Sequence, residues 1–252
     1  ARRQLVCGLH LHVRISGADR ALAVYNALRA HLPELAALAA NAPLHEARDT
    51  GLASVRPLIA GSLPRQGVPP AYGSWDEFAG DLAWGARGGR LNRLLGWWWE
   101  LRPHAELGTL EIRVPDSQTL LADSTAVAAV AAALAVLLAQ RHDEGQLADP
   151  PASWRIAENR WSAARHGLHG ELVDLQSGAP RPTRERLAEL LEQLEPIAAA
   201  IGGAEQLRRA RRLAASNGAD RQRELLAREG WRGLLVELSA RFAEPPAAGA
   251  AA

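Results

Sequence analysis

The clearest pattern in the chain is an alternation of apolar and polar positions in residues 97–116, WWWELRPHAELGTLEIRVPD. A period of two is typical of strands with one buried face. The Pro and Gly of residues 103–108 predict a turn between two such strands. If the strands pair, one face of the hairpin carries four charged residues: Glu100, Arg102, Glu111 and Arg113. We expect this face to be either a salt-bridged open surface or part of a functional site.

A second alternating segment spans residues 4–15. Its odd positions are apolar, and its even positions include His10 and His12. The pattern predicts a strand that directs both histidines to the same side. Cys7 belongs to the apolar series, so we expect an unreactive thiol in the core.

The first half of the chain also contains helical signals and one long irregular segment. Helices are predicted at residues 18–31 and in a short segment that begins with Pro33. Residues 74–77, Ser-Trp-Asp-Glu, form a capping box that predicts a helix to about residue 86. Residues 43–72 are rich in Pro, Gly, Ser and Arg, and long irregular segments of this kind are typical of binding loops and lids. We therefore expect this segment to be an irregular loop that contributes to a pocket.

Beyond residue 116 almost every pattern is helical. Helices are predicted at residues 124–140 and 154–167, from residue 183, around 208–212, at 220–228 and at 231–242, with a polar turn at 174–182. The tail, residues 243–252, is rich in Pro and Ala and is predicted to be disordered. Strands in the first half and helices in the second favour an α+β fold over alternating βαβ units. A chain of 252 residues suits one domain, which we expect at residues 1–242.

Composition narrows the classes of function. The formal net charge is +1, so no overall field favours nucleic acid or an anionic membrane as a partner. The single cysteine excludes an internal disulfide and fits a reducing, cytoplasmic compartment. The apolar run at residues 126–138 is too short to span a bilayer, so we expect no membrane partner. All 29 basic residues are Arg, and the absence of Met leads us to expect a fragment or a processed product.

Candidate metal ligands lie on both alternating segments. His10, His12 and Glu111 supply two imidazoles and one carboxylate, which are ligand types that a divalent metal such as zinc accepts. The alternative is that the histidines form ordinary hydrogen-bonded pairs at the surface or in the core. The sequence leaves both interpretations open.

Arginines near these positions suit an anionic substrate. Arg113 lies two residues from Glu111, hence on the same strand face, and Arg56 lies beside Ser54 in the long loop. Guanidinium groups bind carboxylates and phosphates through two parallel hydrogen bonds. Each arginine taken alone also fits a surface cation.

Two other patterns relate to nucleic acid. The arginines of residues 208–212 could form a basic patch, but acidic residues surround them and favour a solvated helix face. The tryptophans of residues 97–99 could stack on bases, but on a strand two of the three belong to the core. The sequence has no Gly-rich phosphate loop, G-x-S-x-G elbow or paired C-x-x-C. We therefore expect no nucleic acid partner.

Taken in order, several segments resemble the type 2 glutamate–cysteine ligases, also called the carboxylate–amine ligase family. The matching pieces are CGLHLHV (7–13), AANAP (39–43), Asp49 with SVR (54–56), WELRP (99–103), GTLEIRV (108–114) with Asp116, AARHG (163–167) and NGADRQREL (217–225). The resemblance covers nearly the whole chain. G-x-H-x-H followed much later by G-T-x-E-[IV]-R-V is a fairly specific pair of motifs.

The resemblance implies a fold like that of glutamine synthetase, in which an antiparallel sheet forms a cup for ATP, a divalent metal and the amino-acid substrate. It also implies that ATP phosphorylates the γ-carboxylate of glutamate and that cysteine or another amine displaces the phosphate. The implied cofactors are ATP and Mg²⁺, or Mn²⁺. The implied roles are metal ligands for His10 and Glu111, phosphoryl and ATP contact for Arg113, and substrate binding for Arg56, Arg102, His12 and Ser54.

One departure from the family pattern concerns the beginning of the chain. Family members begin with a strand carrying a G-x-E-x-E-type motif whose glutamates are further metal ligands, and this sequence starts after it. We therefore expect the carboxyl-terminal two-thirds of a ligase, which could be inactive alone, and a possible homodimer through the uncovered sheet edge. Two alternatives remain: a non-catalytic binding or oligomerising module with the same fold, and a metal-dependent hydrolase.

Overall fold

The computed structural model describes residues 6–88 and 97–243. Helices and small antiparallel sheets together make an α+β fold, as predicted. The strands are β1 (Leu11–Arg14), β2 (Leu44–His45), β3 (Arg48–Asp49), β4 (Leu101–His104), β5 (Thr109–Ile112), β6 (Glu171–Val173) and β7 (Pro180–Pro182). The helices are α1 (Ala18–Leu28), α2 (Leu32–Leu38), α3 (Arg56–Ala60), α4 (Trp75–Arg87), α5 (Leu121–Asp143), α6 (Ser153–His166), α7 (Thr183–Ala200), α8 (Ala204–Ala215) and α9 (Gly218–Ala243).

Three strands form the sheet that carries the predicted site, in the order β1-β5-β4. In the antiparallel ladder, His12 and Arg102 pair with Glu111 from opposite sides. Because side chains alternate along each strand, the neighbouring row lies on the other face, and it packs with the hydrophobic core. That row consists of Leu11, Ile112 and Leu101.

The apolar face of this sheet packs on a helical layer centred on α5, which contacts β1, α1, α7 and α8. With 23 residues, α5 is longer than predicted, and by length and apolar composition it could cross a membrane. Half of its most apolar window is buried inside the protein, and the core helix of a globular fold passes the same test. The fully buried Asp123 of α5 also pairs with Arg209 of α8 and Arg221 of α9, contacts that belong to a protein interior.

Several predicted helix boundaries are confirmed. Ser74 caps α4 by accepting a hydrogen bond from the Glu77 backbone N–H, and Glu77 in turn accepts from the backbone N–H of Gly73. Pro33 lies in the first turn of α2. The predicted break between the last two helices falls at Gly230, whose φ of 67° interrupts α9.

Other predictions are wrong in detail. The first strand of the central hairpin begins at Leu101 rather than at residue 97, and the turn is confined to residues 105–108. Residues 43–72 are not wholly irregular, since they contain the β2–β3 hairpin and α3, and residues 174–182 belong to the β6–β7 hairpin. Cys7 is exposed rather than buried, because it precedes β1 and leaves the core side of the sheet. The predicted disorder of the tail lies outside the described residues.

Candidate active site

Glu111 is the centre of the polar face of the sheet. Its carboxylate accepts a hydrogen bond from Arg102 Nε at 2.5 Å and one from Arg113 Nη1 at 2.5 Å. Arg102 also donates to the carbonyl of Trp97 at 2.8 Å, which holds its guanidinium along the sheet. Glu111 and Arg102 are only 2% and 5% exposed. The sequence pattern therefore brings together the acid–arginine couple that it predicts.

The charge state of Glu111 follows from these neighbours. Burial acts to raise the pKa of its carboxyl group, but the hydrogen bonds and positive charges of Arg102 and Arg113 outweigh burial. The pKa of Glu111 is therefore below its usual value, and the side chain is an anion at neutral pH. Burial also lowers the pKa of Arg113, an effect that Glu111 opposes. A guanidinium stays protonated in proteins, so the couple is a true ion pair.

His10 lies at the exposed side of this couple. Its Nδ1 is 3.4 Å from Glu111 Oε1 and 3.3 Å from Arg113 Nη1. Partial burial lowers the pKa of His10, and the positive charge of Arg113 lowers it further, while Glu111 opposes the shift. The imidazole is therefore neutral at pH 7, so its contact with Glu111 is not an ion pair. A neutral imidazole has the lone pair that a metal ligand needs.

His12 lies beside Glu111 in the ladder but makes different contacts. Its Nδ1 is 2.9 Å from Thr109 Oγ1, and its ring meets that of His104 edge-on with centroids 5.4 Å apart. The side chain is exposed. His12 therefore lines the polar face without joining the ion-pair cluster.

Asp116 connects the long loop to the end of β5. Its Oδ1 accepts from Ser54 Oγ at 3.0 Å and from Arg56 Nε at 2.7 Å, while its Oδ2 accepts from the backbone N–H of Asn41 at 2.8 Å. The Nη2 of Arg56 also donates to the main-chain carbonyl of Arg113 at 3.3 Å. Ser54 and Arg56 thus lie at the end of β5, beside the main chain of Arg113, and their substrate-binding roles stay predictions. The role of Asp116 was missed, although its place two residues after the GTLEIRV motif was the available signal.

Gly8 allows Arg56 to approach the sheet closely. Gly8 pairs with Asp116 in an isolated antiparallel bridge. A Cβ atom added at Gly8 would lie 3.2 Å from Arg56 Nη1 and 3.5 Å from the Pro115 carbonyl oxygen. A side chain at this position would press on the guanidinium, which explains the Gly that precedes the two histidines.

The side chain of Glu100 pairs with helix α6, and its main chain bonds to the hairpin. Its two carboxylate oxygens accept from Arg160 Nε and Nη2, each at 2.7 Å, in a buried bidentate pair. The main-chain carbonyl of Glu100 accepts from the backbone N–H of Arg113 at 2.7 Å. Arg160 was not predicted as a site residue, because on a helix it has the spacing of an ordinary surface cation.

Comparison with known proteins identifies the family. The sequence model described as glutamate–cysteine ligase family 2 matches residues 1–241. The chain belongs to this family. A protein of Rubrobacter xylanophilus, provisionally named glutamate–cysteine ligase 2-3, is 42% identical over 91% of this chain and 62% of its own length. A Thermobifida fusca protein provisionally named glutamate–cysteine ligase 2 is 38% identical over 82% of this chain and 52% of its own length. A protein of Frankia casuarinae, provisionally named glutamate–cysteine ligase 2-1, is 37% identical over 82% of this chain and 54% of its own length.

This member of glutamate–cysteine ligase family 2 spans between about half and 62% of the length of these curated relatives. The cluster on the sheet face coincides with the two motifs that carried the resemblance, around His10 and around Glu111. The family assignment and the geometry of the cluster therefore point to the same residues, His10 and Glu111.

Of the side chains predicted as metal ligands, His10 and Glu111 lie together, with His10 Nδ1 3.4 Å from Glu111 Oε1. Within residues 6–88 and 97–243, no group of three or more His, Cys, Asp or Glu side chains comes together. The two side chains fit part of a coordination sphere, because a carboxylate offers about four lone-pair sites and the hydrogen bonds given above from Arg102 and Arg113 account for two of them. Mg²⁺ is commonly held by one or two carboxylates together with water and substrate phosphates.

Three arginines of α8 pair with acidic residues, and the consecutive tryptophans differ in their exposure. In α8, Arg208 pairs with Glu205 and Arg211 pairs with Glu195 on the surface. The predicted solvated helix face is therefore confirmed for these two arginines, whereas Arg209 reaches the buried Asp123 instead. In the segment WWW (97–99), the first side chain is buried, the second is exposed and the third is half-buried, as the alternation predicted.

Proposed function

We propose that the protein acts as an ATP-dependent carboxylate–amine ligase that forms a γ-glutamyl amide. The observation that carries this proposal is the convergence of Glu111, Arg113 and His10 on one sheet face in a chain of glutamate–cysteine ligase family 2. The three-stranded sheet would be the described part of a cup like that of glutamine synthetase. The substrates are glutamate, ATP and cysteine or another small amine, and the described residues form a single catalytic domain.

The reaction has two steps. An oxygen of the glutamate γ-carboxylate attacks the γ-phosphorus of ATP, the bond to the β-phosphate oxygen breaks, and ADP leaves. The nitrogen of the amine then attacks the acyl carbon of γ-glutamyl phosphate. The carbon–oxygen bond to phosphate breaks, the nitrogen loses one proton, and inorganic phosphate leaves with the amide as product.

Arg113 is the residue we assign to the transferring phosphoryl group. Among the described residues its side chain donates only through Nη1, to Glu111 and toward His10, so its other N–H groups are available to phosphate oxygens. A cation held there by Glu111 stabilises the charge that moves onto the equatorial oxygens during transfer. The fixed ion pair means that no reorientation of the guanidinium is needed in the transition state.

The remaining predicted residues divide by exposure. Arg56 and His12 lie nearer the surface, and we assign them to contact with the substrate. Ser54 and Arg102 are each 5% exposed and are engaged with Asp116 and Glu111, so we assign them to holding Arg56 and Glu111 in place. Substrate binding by these two is therefore indirect in this proposal.

A divalent metal, Mg²⁺ or Mn²⁺, would be held by His10 and Glu111 and would neutralise phosphate charge when bound. The depressed pKa values of both residues favour this role, since each side chain is already in its metal-binding protonation state at pH 7. A zinc hydrolase uses three protein ligands and an open fourth position. Since the described residues bring no group of three such ligands together, we propose the ligase rather than a zinc hydrolase.

A second candidate function is a non-catalytic binding module of the same fold. It is favoured by one observation, that both oxygens of Glu111 already accept hydrogen bonds from arginine. The two candidates are separated by measuring ADP release with Mg²⁺. A ligase releases ADP only when glutamate and an amine are both present, whereas a binding module is stabilised by ATP or glutamate without turnover. ADP release that does not depend on glutamate would overturn the ligase proposal.

A further inference from the structure

Helix α9 is joined to the candidate site through Gln222. The Nε2 atom of Gln222 donates to the main-chain carbonyl and to the Oδ1 atom of Asn41, each at 2.7 Å. The two residues are 181 positions apart, and Asn41 lies in the link between α2 and β2. Gln222 belongs to the segment NGADRQREL (217–225), which carried part of the resemblance but has no role in the reaction described above. The contact brings this segment to the edge of the candidate site.

The first turn of α9 fits closely against Asn41. A Cβ atom added at Gly218 would lie 1.9 Å from Asn41 Oδ1, so only glycine leaves room for the Asn41 side chain. The backbone N–H of Ala219 donates to the carbonyl of Ala40 at 3.0 Å. Because these contacts hold the start of α9 against the residues that follow α2, the position of Asn41 is fixed.

Asn41 in turn holds Asp116. Its backbone N–H donates to Asp116 Oδ2 at 2.8 Å, and its Nδ2 donates to the carbonyl of Ser117, the next residue, at 2.7 Å. Asp116 is 4% exposed, and its other oxygen, Oδ1, accepts from Arg56 Nε at 2.7 Å. Hydrogen bonds to an ionised carboxylate are stronger than those between neutral groups. One buried carboxylate therefore fixes Asn41 and Arg56 relative to each other.

Arg56 keeps donors for a ligand. Its hydrogen bonds use Nε, to Asp116, and Nη2, to the carbonyls of Arg113 and Val114. Within residues 6–88 and 97–243, Nη1 donates to no residue. A guanidinium is planar and rigid, so fixing Nε and Nη2 also fixes the direction of the two Nη1 N–H groups. These groups suit a carboxylate of the substrate.

We propose that Asn41 and Gln222 are positioning residues for substrate binding. They hold Asp116, and through it the Arg56 guanidinium, in the orientation that binds a carboxylate of glutamate. This inference rests on the proposed ligase function and extends its site to helix α9. Arg113 is held separately by an ion pair of its own. Loss of the Gln222 contact should therefore weaken glutamate binding and leave phosphoryl transfer unchanged.

The first experiment measures steady-state kinetics in Gln222→Ala, with Arg223→Gln as the matched control. Arg223 is the next residue of α9, and it binds Asp49 of β3 instead of Asn41. We expect Gln222→Ala to raise the KM for glutamate at least about fivefold, with kcat and the KM for ATP within about twofold of the wild type. Arg223→Gln should leave all three within about twofold. A merely structural defect lowers kcat because folded protein is lost. Equal KM values for glutamate in the wild type and Gln222→Ala would overturn the inference.

The second experiment asks whether Gln222 acts through Arg56. Residues of one hydrogen-bond network have non-additive effects, so Gln222→Ala should change the KM for glutamate less than about twofold in an Arg56→Lys background. Asn41→Ala removes the Oδ1 acceptor of Gln222 and should raise the KM for glutamate as Gln222→Ala does. A further fivefold rise on adding Gln222→Ala to Arg56→Lys would show that Gln222 acts by another route and would contradict the inference.

Glutamate binding separates failure of this inference from failure of the ligase proposal. If the wild type releases no ADP with glutamate and L-cysteine, the ligase proposal fails, and the dissociation constant for glutamate, measured by calorimetry, takes the place of KM. A dissociation constant raised at least about fivefold in Gln222→Ala and unchanged in Arg223→Gln would still support the positioning role. Turnover with an unchanged glutamate KM in Gln222→Ala would refute the positioning role and leave the ligase proposal intact. Absence of both turnover and glutamate binding would overturn both.

Discussion

Arg102 and Glu111 face each other across the β4–β5 ladder, and the Arg102 guanidinium donates to the Glu111 carboxylate at 2.5 Å. Both side chains are buried on the side of the sheet opposite the apolar core. Removing one member of a buried pair leaves the other charge without a partner, which costs about 3–5 kcal/mol. Breaking the pair by removing one partner would therefore disturb the site and the fold together.

Glu111→Gln should lower the free energy of unfolding by about 3 kcal/mol, because Arg102 and Arg113 would both lose their counter-ion. Urea denaturation measures the change. Glu189→Gln removes one member of an exposed Arg–Glu pair, with Arg181, and serves as the matched control. We expect little change in the free energy of unfolding of Glu189→Gln, since water solvates the remaining Arg181. Equal losses in the two variants would show that burial of Glu111 does not matter.

Gly218→Ala should destabilise the protein by about 1–3 kcal/mol, because the new Cβ atom would overlap the Oδ1 atom of Asn41. Asn41 has little room to move, since its Nδ2 donates to the Ser117 carbonyl at 2.7 Å. Gly80→Ala, in α4, is the control, because nothing lies within 4 Å of the added atom. That variant should be stabilised by up to about 1 kcal/mol. Thermal unfolding of both proteins gives the comparison, and a stabilised Gly218→Ala would refute the packing argument.

Arg223→Gln should remove a pH-dependent contribution to stability. Arg223 holds both oxygens of Asp49, and this hydrogen bonding is the main cause of the lowered pKa of Asp49. Between the unfolded-state pKa of about 3.9 and the lower folded-state value, the unfolded chain binds more protons. The contribution, about 0.5 kcal/mol for so exposed a pair, is thus present above about pH 4 and lost as the pH falls through the folded-state pKa.

Unfolding measured at several pH values checks this prediction. The stability difference between the wild type and Arg223→Gln should be present at pH 7 and should disappear as the pH falls through the lowered folded-state pKa of Asp49. Arg228→Gln removes an exposed pair with the adjacent Glu229 on the same helix and should show no such trend. A difference for Arg223→Gln that grows toward acid pH would have the wrong sign.

The polar face of the sheet was predictable because the alternation of apolar and polar residues shows which face of a strand is buried. Each side chain of Arg102, Glu111 and Arg113 points where its strand parity requires, and the pairing register then brings them together. Exposure of Cys7 was not predictable in this way. Alternation alone does not show at which residue a strand leaves the core.

Most of the contacts that the sequence did not predict join residues far apart in the chain. The pair of Glu100 with Arg160 joins residues 60 positions apart, and neither residue carries a local signal of its partner. The β2–β3 hairpin was missed for a local reason. Its turn places Glu46 and Ala47 at φ values of 48° and 57°, where Asn and Gly are the usual signals.

The central claim is that Arg113 stabilises the phosphoryl group that passes from ATP to glutamate. The most direct measurement is ADP release with glutamate, L-cysteine and Mg²⁺ in the wild type, in Arg113→Gln and in Arg181→Gln, an exposed arginine of β7. We predict that Arg113→Gln lowers kcat by at least about 100-fold and that Arg181→Gln leaves it within twofold. Full ADP release by a folded Arg113→Gln variant would contradict the account.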